Sequence, residues 1–393
     1  GFFLLFSSYN TLQSLLTSLL TFGNVSLGLL YAALCVAVLF APGIIPFLGC
    51  RAGLMLGAMT FVLYCASLIH VVEWVVLLAS CVVGVGAGFL WVSQNTLLVA
   101  SSTTEELGYN SGLFWSAFQL SGVVGNLVAY WVFQGSGATT LYVVFTALTA
   151  GATLSLGCVR RPPSAAGRAS APLSPRNATR DIWHHVMAAV RVYRRPSVLL
   201  LCPLFFFIGA ELGFWNGAFT QLLEVHSVPL VLTFAGVGEV IGGVSLGRLS
   251  DKIGRTRTLV AGSMLFLAAL PLTVVLRQDP HASPSWHGVP YFAFVTAFMF
   301  GLADSVFNTQ CFALIGQLSH ASDTGTAVPS FTAFQLMLNA GSAAGFYANG
   351  SSVLPIVGTN SSLTQVYVLA AMCVVGTGLF GYVDPEFCAR PVP

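Results

Sequence analysis

Apolar residues run through this chain in long stretches separated by short polar breaks. The stretches cover residues 1–20, 25–46, 53–70, 74–100, 109–133, 140–158, 198–222, 228–247, 258–276, 289–318, 326–348 and 364–383. An α-helix needs about 20 residues to cross the hydrocarbon of a bilayer. In lipid, only helices and closed barrels satisfy every backbone polar group. The stretches lack the two-residue alternation of a membrane barrel. The pattern therefore predicts an all-α membrane protein with twelve transmembrane helices, six on each side of one hydrophilic interval at 159–197. The expected units are an N-terminal six-helix bundle (1–158), a linker (159–197) and a C-terminal six-helix bundle (198–393). The first residue is Gly and the first stretch has no polar flank before it, so the first helix is expected to be truncated.

The hydrophilic interval opens on Pro162, Pro163, Pro172 and Pro175, and turns helical from Thr179. Ile182, Val186, Ala189, Val190 and Tyr193 share one face of that helix, with Trp183, Arg191, Arg194 and Arg195 beside it. This pattern suits a helix lying on a membrane surface, and a linker joining the two bundles is the simpler reading. Arg placement orients the whole. In the twelve-helix arrangement Arg51, the eight Arg of the interval, Arg248, Lys252, Arg255, Arg257 and Arg390 fall on one side, and only Arg277 on the other. The excess of positive charge marks the cytosolic side. A cysteine placed at position 168 is thus expected to react with a membrane-impermeant thiol reagent only after cells are permeabilised. Labelling of intact cells at 168 would overturn the orientation.

Composition changes the picture little. The chain is 56% hydrophobic and 7% charged, far below the roughly 25% charge of a soluble domain. Its net charge of +2 reflects topology and points to no nucleic acid partner. The nine Cys are scattered without CxxC or Cys/His spacing, so no metal or other cofactor is expected. No catalytic constellation is present, so an enzyme is not expected. Sequons at Asn24 and Asn360 fall on expected exterior segments and are the glycosylation candidates.

One break is denser in charge than the rest. Gly247-Arg-Leu-Ser-Asp251-Lys252-Ile-Gly254-Arg255-Thr-Arg257 is expected to form a short turn between two apolar stretches. It resembles the G-x-x-x-D-[RK]-x-G-[RK]-x-[RK] loop of the major facilitator superfamily. The resemblance implies a cytosolic latch in which Asp251 contacts Arg255 or a helix N-terminus. The corresponding first-half loop, Pro46 to Arg51, keeps Gly49 and Arg51 but has no acid. The halves also repeat internally. Gly88–Thr96 aligns with Gly301–Thr309 at an offset of 213, Ala117–Leu120 with Ala333–Leu336 at 216, and Tyr9-Asn10 with Trp215-Asn216. Two parallel six-helix repeats leave such traces, and place a binding cavity between the halves at mid-depth.

Three carboxylates stand deep inside apolar stretches: Glu211, Glu239 and Asp304. An ionised group facing lipid costs several kcal/mol, so these should face the bundle interior. No Lys or Arg within a stretch can pair with them. They suit a proton or substrate site, or neutral interhelical glue. The amides Asn10, Gln13, Gln94, Asn95, Gln119, Asn126, Asn308, Gln310, Gln335 and Asn339 are numerous for membrane helices. They either line a wet cavity or tie helices together.

At Leu5–Gln13, Trp91–Gln94, Asn110–Trp115, Gly209-Ala-Glu211, Gly238-Glu239-x-x-Gly242-Gly243 and Gly301–Gln310 the chain is similar to the Unc-93-like family. The likeness is greatest to its orphan branch of Unc-93-like major facilitator domain proteins and spans nearly the whole chain. It implies a major facilitator fold of two six-helix repeats and no enzymatic activity. Two functions stay open. One is a secondary transporter of an unknown small solute, proton-coupled through the buried carboxylates. The other is a non-transporting auxiliary, chaperone or regulatory subunit of a membrane protein complex, as some relatives are. The bilayer is a partner in both, in the plasma membrane or an organelle.

Overall fold

A computed structural model describes residues 1–102, 107–159, 175–278, 284–320, 327–350 and 361–384. The N-terminal half holds α1 (Phe2–Leu19), α2 (Gly23–Leu48), α3 (Cys50–Ser67) and α4 (Glu73–Ser101). A further helical stretch, Leu107–Gly157, breaks at Gly137 (φ 76°, ψ 179°) into α5 (107–136) and α6 (138–157). The surface helix α7 is Pro175–Val192. The C-terminal half holds α8 (Pro196–Gly213), α9 (Val228–Ile253), α10 (Arg255–Gln278), α11 (Tyr291–His320), α12 (Ala327–Asn349) and α13 (Ser361–Val383). A π-helical turn, Phe214–Phe219, and a 3₁₀ turn, Thr220–Leu222, extend α8. A two-residue hairpin turn at His287-Gly288, both with positive φ, joins Ser285–Trp286 to Val289–Pro290 ahead of α11.

Nine segments among the described residues are long and apolar enough to cross a membrane, one of them spanning α5 and α6. The chain is a multi-pass integral membrane protein. Helices α1 and α12 fall outside that set for a physical reason. Helix α1 buries Ser7, Ser8, Thr11, Gln13, Ser14 and Thr17 against protein, and α12 buries Ser330, Asn339 and Ser342. Neither owes lipid an apolar surface along its length, and their side chains bond to neighbouring helices instead.

The same pairing scheme holds each half. Helix α1 packs on α5, as α8 packs on α12; α2 on α4, as α9 on α11; α3 on α4, as α10 on α11. Across the halves α2 meets α12, and α5 meets α9. Glycines set these approaches. Gly125 of α5 sits against the Ser7 carbonyl of α1, and Gly341 of α12, at the offset of 216, sits against the Phe206 carbonyl of α8. Gly84 of α4 abuts the Leu30 carbonyl of α2, and Gly301 of α11 the Ala235 carbonyl of α9.

The charge-dense break differs from its expected form. Helix α9 runs on through Lys252 and Ile253, and a single residue, Gly254, joins it to α10. Gly254 has φ 94° and ψ 153°, and Gly49 joins α2 to α3 with φ 83° and ψ 142°. The two links are equivalent to within about ten degrees, and only glycine adopts this backbone freely. No extra turn is needed, because the helical backbone of α9 continues to Ile253.

Helix α7 begins at Pro175, four residues before Thr179, with proline at the first helical position where its missing N–H costs nothing. Its buried side chains include Val186, Ala189 and Val192; Val190, expected on the apolar face, is exposed. It packs on α2 and α12, one helix from each half. Gly43 of α2 leaves room for Ile182, and Tyr193 Oη donates to the Ala333 carbonyl at 2.8 Å.

Candidate functional site

The three intramembrane carboxylates come from three helices of the C-terminal half and meet between them. Glu211 of α8 is fully buried and Asp304 of α11 is 7% exposed; Glu239 of α9 is half-buried. Asp304 interacts electrostatically with both of the others. Asn308, one turn along α11, donates to Asp304 Oδ1 at 2.9 Å. Glu211 and Asp304 interact electrostatically, and neither oxygen of Glu211 has a hydrogen-bond partner among the described residues. Among the described residues, no cation contributes to the surroundings of any of the three. Three unneutralised charges at such separation in a low-dielectric interior repel strongly, so the cluster holds protons or takes up a cation.

The N-terminal half answers with aromatic rings and hydroxyls. Tyr31 of α2 donates to Gln13 Oε1 of α1 at 2.9 Å. Tyr31 also lies within electrostatic reach of Tyr9 and of Asp304. Tyr9 stands edge-on to Phe61 at 4.9 Å and to Phe6 at 6.0 Å. From Phe6 the rings continue to Trp91 and Phe118, and Trp91 stacks on Trp115 at 5.9 Å. Trp115 of α5 reaches across the halves to Phe312 of α11 at 5.8 Å. The repeat gives this arrangement a plain form. Trp91 occupies in the first half the position of Asp304 in the second, at the offset of 213. Leu5 stands for Glu211, and Leu34 for Glu239.

The end of the bundle away from the arginine-rich linker is sealed by hydrogen bonds between the halves. Asn216, in the π-helical turn, accepts from Ser14 at 2.7 Å through Oδ1 and from Thr17 at 2.9 Å through its carbonyl. Ser18 donates to the Thr220 carbonyl at 3.2 Å, and Gln221 donates to the Thr17 carbonyl at 3.0 Å. The π turn supplies the extra residue that swings Asn216 towards α1, a common use of such turns.

The remaining expected residues divide. Gln310 is buried and accepts from Ser250 of α9 at 2.7 Å, so it ties α11 to α9. Gln94 is buried with its carbonyl oxygen unpartnered. Asn10, Gln119 and Gln335 are half-buried, and Asn95 is exposed. Asn24, a glycosylation candidate, lies inside α2 at 3% exposure, near Asn349 and Gly217, an enclosed position that a glycan does not fit. Asn360 lies outside the described residues.

The expected Asp251 contact lies outside the described side chains, and Arg255 has a described acid partner elsewhere. The Asp251 side chain and those around Gly247 are outside the described residues, and Lys252 is exposed. Arg255 pairs with Asp384, just past α13, at 3.9 Å and also donates to Gln317. Thr256 donates to the other Asp384 oxygen at 2.7 Å. Asp384 is 1% exposed. These groups all belong to the C-terminal half, so they clamp the rim of one half and do not bridge the two. Asp384→Ala should lower the stability of the purified protein by about 1–3 kcal/mol, because it leaves Thr256 and Arg255 short of a buried acceptor. Thermal unfolding in detergent reads this, and an unchanged midpoint would count against the clamp.

Asp384, Tyr31 and the Trp91–Trp115 stack were missed by the sequence reading. Asp384 had a signal, as the acid that ends the last apolar stretch. Tyr31 had another, as the hydroxyl in the middle of an apolar one.

The comparisons with known proteins agree with this architecture. The family described as "Ion channel regulatory protein UNC-93" matches residues 21–375. UNC93-like protein MFSD11 of Xenopus laevis is 26% identical, over 98% of this chain and 94% of that protein. Protein unc-93 homolog A of Bos taurus is 28% identical, over 81% of this chain and 79% of that one. Among solved structures, the nucleoside transporter NupG superposes with a TM-score of 0.67 at 14% identity, over 97% of this chain and 96% of that one. The fucose:proton symporter FucP of E. coli gives 0.59 at 15%, over 98% and 96%. At these identities the structural likeness establishes the fold, that of the major facilitator transporters.

Proposed function

The chain belongs to the UNC-93 family, and on that premise we propose that it is a secondary transporter of a small solute, coupled to protons through Asp304, Glu211 and Glu239. One observation carries this reading. A fully buried carboxyl, Glu211, has two unpartnered oxygens beside a second carboxyl, and among the described residues no cation stands near either. As structural glue it would be a poor choice, because glue is satisfied and this group is not. A group that exchanges a proton or a ligand during a cycle has to give up its bonds in one state.

The coupling logic follows from the fold. Hydrogen bonds among Ser14, Thr17, Asn216, Thr220 and Gln221 seal one end. They join the halves where rocking of one bundle against the other would part them. Protonation or ligation of the carboxyl cluster changes the charge on the C-terminal face of the interface, and with it the preference between the two ends. The test is uptake by the purified protein in proteoliposomes, across a panel of neutral and charged solutes, with and without an imposed pH gradient. At least one solute should accumulate only with the gradient. Absence of gradient-dependent uptake throughout the panel would reject the reading.

A second reading, a non-transporting auxiliary subunit, is favoured by one specific asymmetry. Leu5, Leu34 and Trp91 stand where the other half carries acids, and the Gly49 link lacks the acid of the signature loop. A chain whose halves no longer match has less need of symmetric alternating access. Stoichiometric co-purification of one membrane protein in mild detergent, with a silent uptake assay, is the outcome that would select it.

A further inference from the structure

The two halves differ in chemistry around the carboxylate cluster, and together they specify a kind of ligand. On one side Asp304, Glu211 and Glu239 offer negative charge without a cation to neutralise it. On the other, Tyr9 begins a connected sheet of rings that continues through Phe6 and Phe61 to Trp91, Phe114, Trp115 and Phe118, and Tyr31 stacks separately on Phe346. Tyr31 stands between them, within electrostatic reach of both Asp304 and Tyr9 and bonded to Gln13. The internal repeat brings Trp91 and Asp304 to equivalent positions on α4 and α11. Aromatic faces attract cations through their quadrupole, Trp most strongly, and carboxylates attract them by charge. A neutral sugar-like solute would call for amides and hydroxyls on both sides; an anion would call for Arg or Lys, and none reaches this depth among the described residues.

Resting on the transporter reading, we propose that the site takes a monovalent organic cation with an apolar or aromatic body, the charged nitrogen or phosphorus centre at Asp304 and Glu211 and the body against Tyr9, Tyr31 and Trp91. Both oxygens of Glu211, fully buried and unpartnered, supply the vacant acceptors that an ammonium needs. The exchange is balanced. The ligand arrives with one positive charge, a carboxyl O–H bond breaks, and one proton leaves to water, so the cluster keeps its net charge. Cation and proton then compete, and the coupling is exchange rather than co-transport. The ionisable groups around Asp304 are Glu211 on α8, Glu239 on α9 and Tyr31 on α2, with Cys373 of α13 beyond Glu211. Helices α10 and α12 bring no charged group to this depth among the described residues.

The test uses the full chain in detergent and three probes: tetraphenylphosphonium, phenethylamine and its uncharged counterpart 2-phenylethanol. Binding is measured by equilibrium dialysis from pH 5.5 to 8. The two cations should bind and the alcohol should not. Cation affinity should rise with pH, by up to tenfold per unit where one proton is displaced. Asp304→Asn, which can still accept from Asn308, should abolish both the binding and its pH dependence. Trp91→Leu should weaken tetraphenylphosphonium binding by about tenfold and leave the pH slope intact. Equal binding of amine and alcohol, or cation binding that survives Asp304→Asn with its pH slope, would overturn the proposal. If the cations fail to bind while a neutral solute shows gradient-driven uptake, the ligand class is wrong and the transporter reading stands. If there is no uptake of any solute either, both fall.

Discussion

Asp304→Asn is expected to reduce pH-gradient-driven uptake by about ten- to hundredfold, the worth of one charged hydrogen-bonding group, while the protein folds and purifies as before. The asymmetry between the two effects is the informative part. An asparagine keeps the size of the side chain and can accept from Asn308, whose donation at 2.9 Å is the bond that holds Asp304 in place. It cannot release a proton. Glu211→Gln should behave the same way, since the site around Glu211 makes no bond to lose. Tyr31→Phe is a useful third variant. It removes the hydroxyl bonded to Gln13 but leaves the ring, so it should lower uptake by less than tenfold. Uptake that persists in both carboxyl variants, with its pH dependence unchanged, would reduce the acids to structural groups.

The largest expected effect on stability comes from Gly209. A Cβ there would stand 1.8 Å from the Leu338 carbonyl of α12 and 2.5 Å from the Ser342 nitrogen, both backbone atoms that cannot swing away. Gly209→Ala should therefore force α8 and α12 apart and cost about 1–3 kcal/mol or more, the range for overpacking a filled interior. Gly122→Ala is the control, because nothing lies within 4 Å of that Cβ; alanine is also the better helix former. Size-exclusion profiles and thermal unfolding of the two variants side by side would decide it. Equal behaviour would show that the α8–α12 contact is looser than the packing implies.

Much of the fold was legible because bilayer physics leaves few choices. A run such as 74–100 in this setting becomes a helix, and it appears as Glu73–Ser101. What failed to read was anything decided by a neighbour. A charge-dense segment such as Gly247–Arg257 reads as a turn, whereas the backbone of α9 stays helical to Ile253 and turns on Gly254 alone. Helix α5 and helix α6 are joined through 134–139 with only Gly137 out of helical geometry, because a short polar link can stay helical. The carboxylates were legible singly, by their depth. Their meeting was not, because Glu211, Glu239 and Asp304 lie on three helices up to 93 residues apart in sequence. Gln310 shows the reverse failure. It has the same composition signal as a cavity amide, yet Ser250 claims it as a helix tie.

The one-residue links at Gly49 and Gly254 bear on how the protein enters the membrane. Each leaves the two helices it joins no slack, so α2 with α3, and α9 with α10, are hairpins from the moment both helices exist. Once α10 is helical, the one-residue link leaves it no room to sit apart from α9 in the aqueous phase. The pair has to partition as one body, its combined apolar surface setting the driving force. Arg255 and Arg257, at the crest, then never need to cross. Orientation of the whole C-terminal half would be set at the instant that hairpin inserts, by a turn with room for a single glycine.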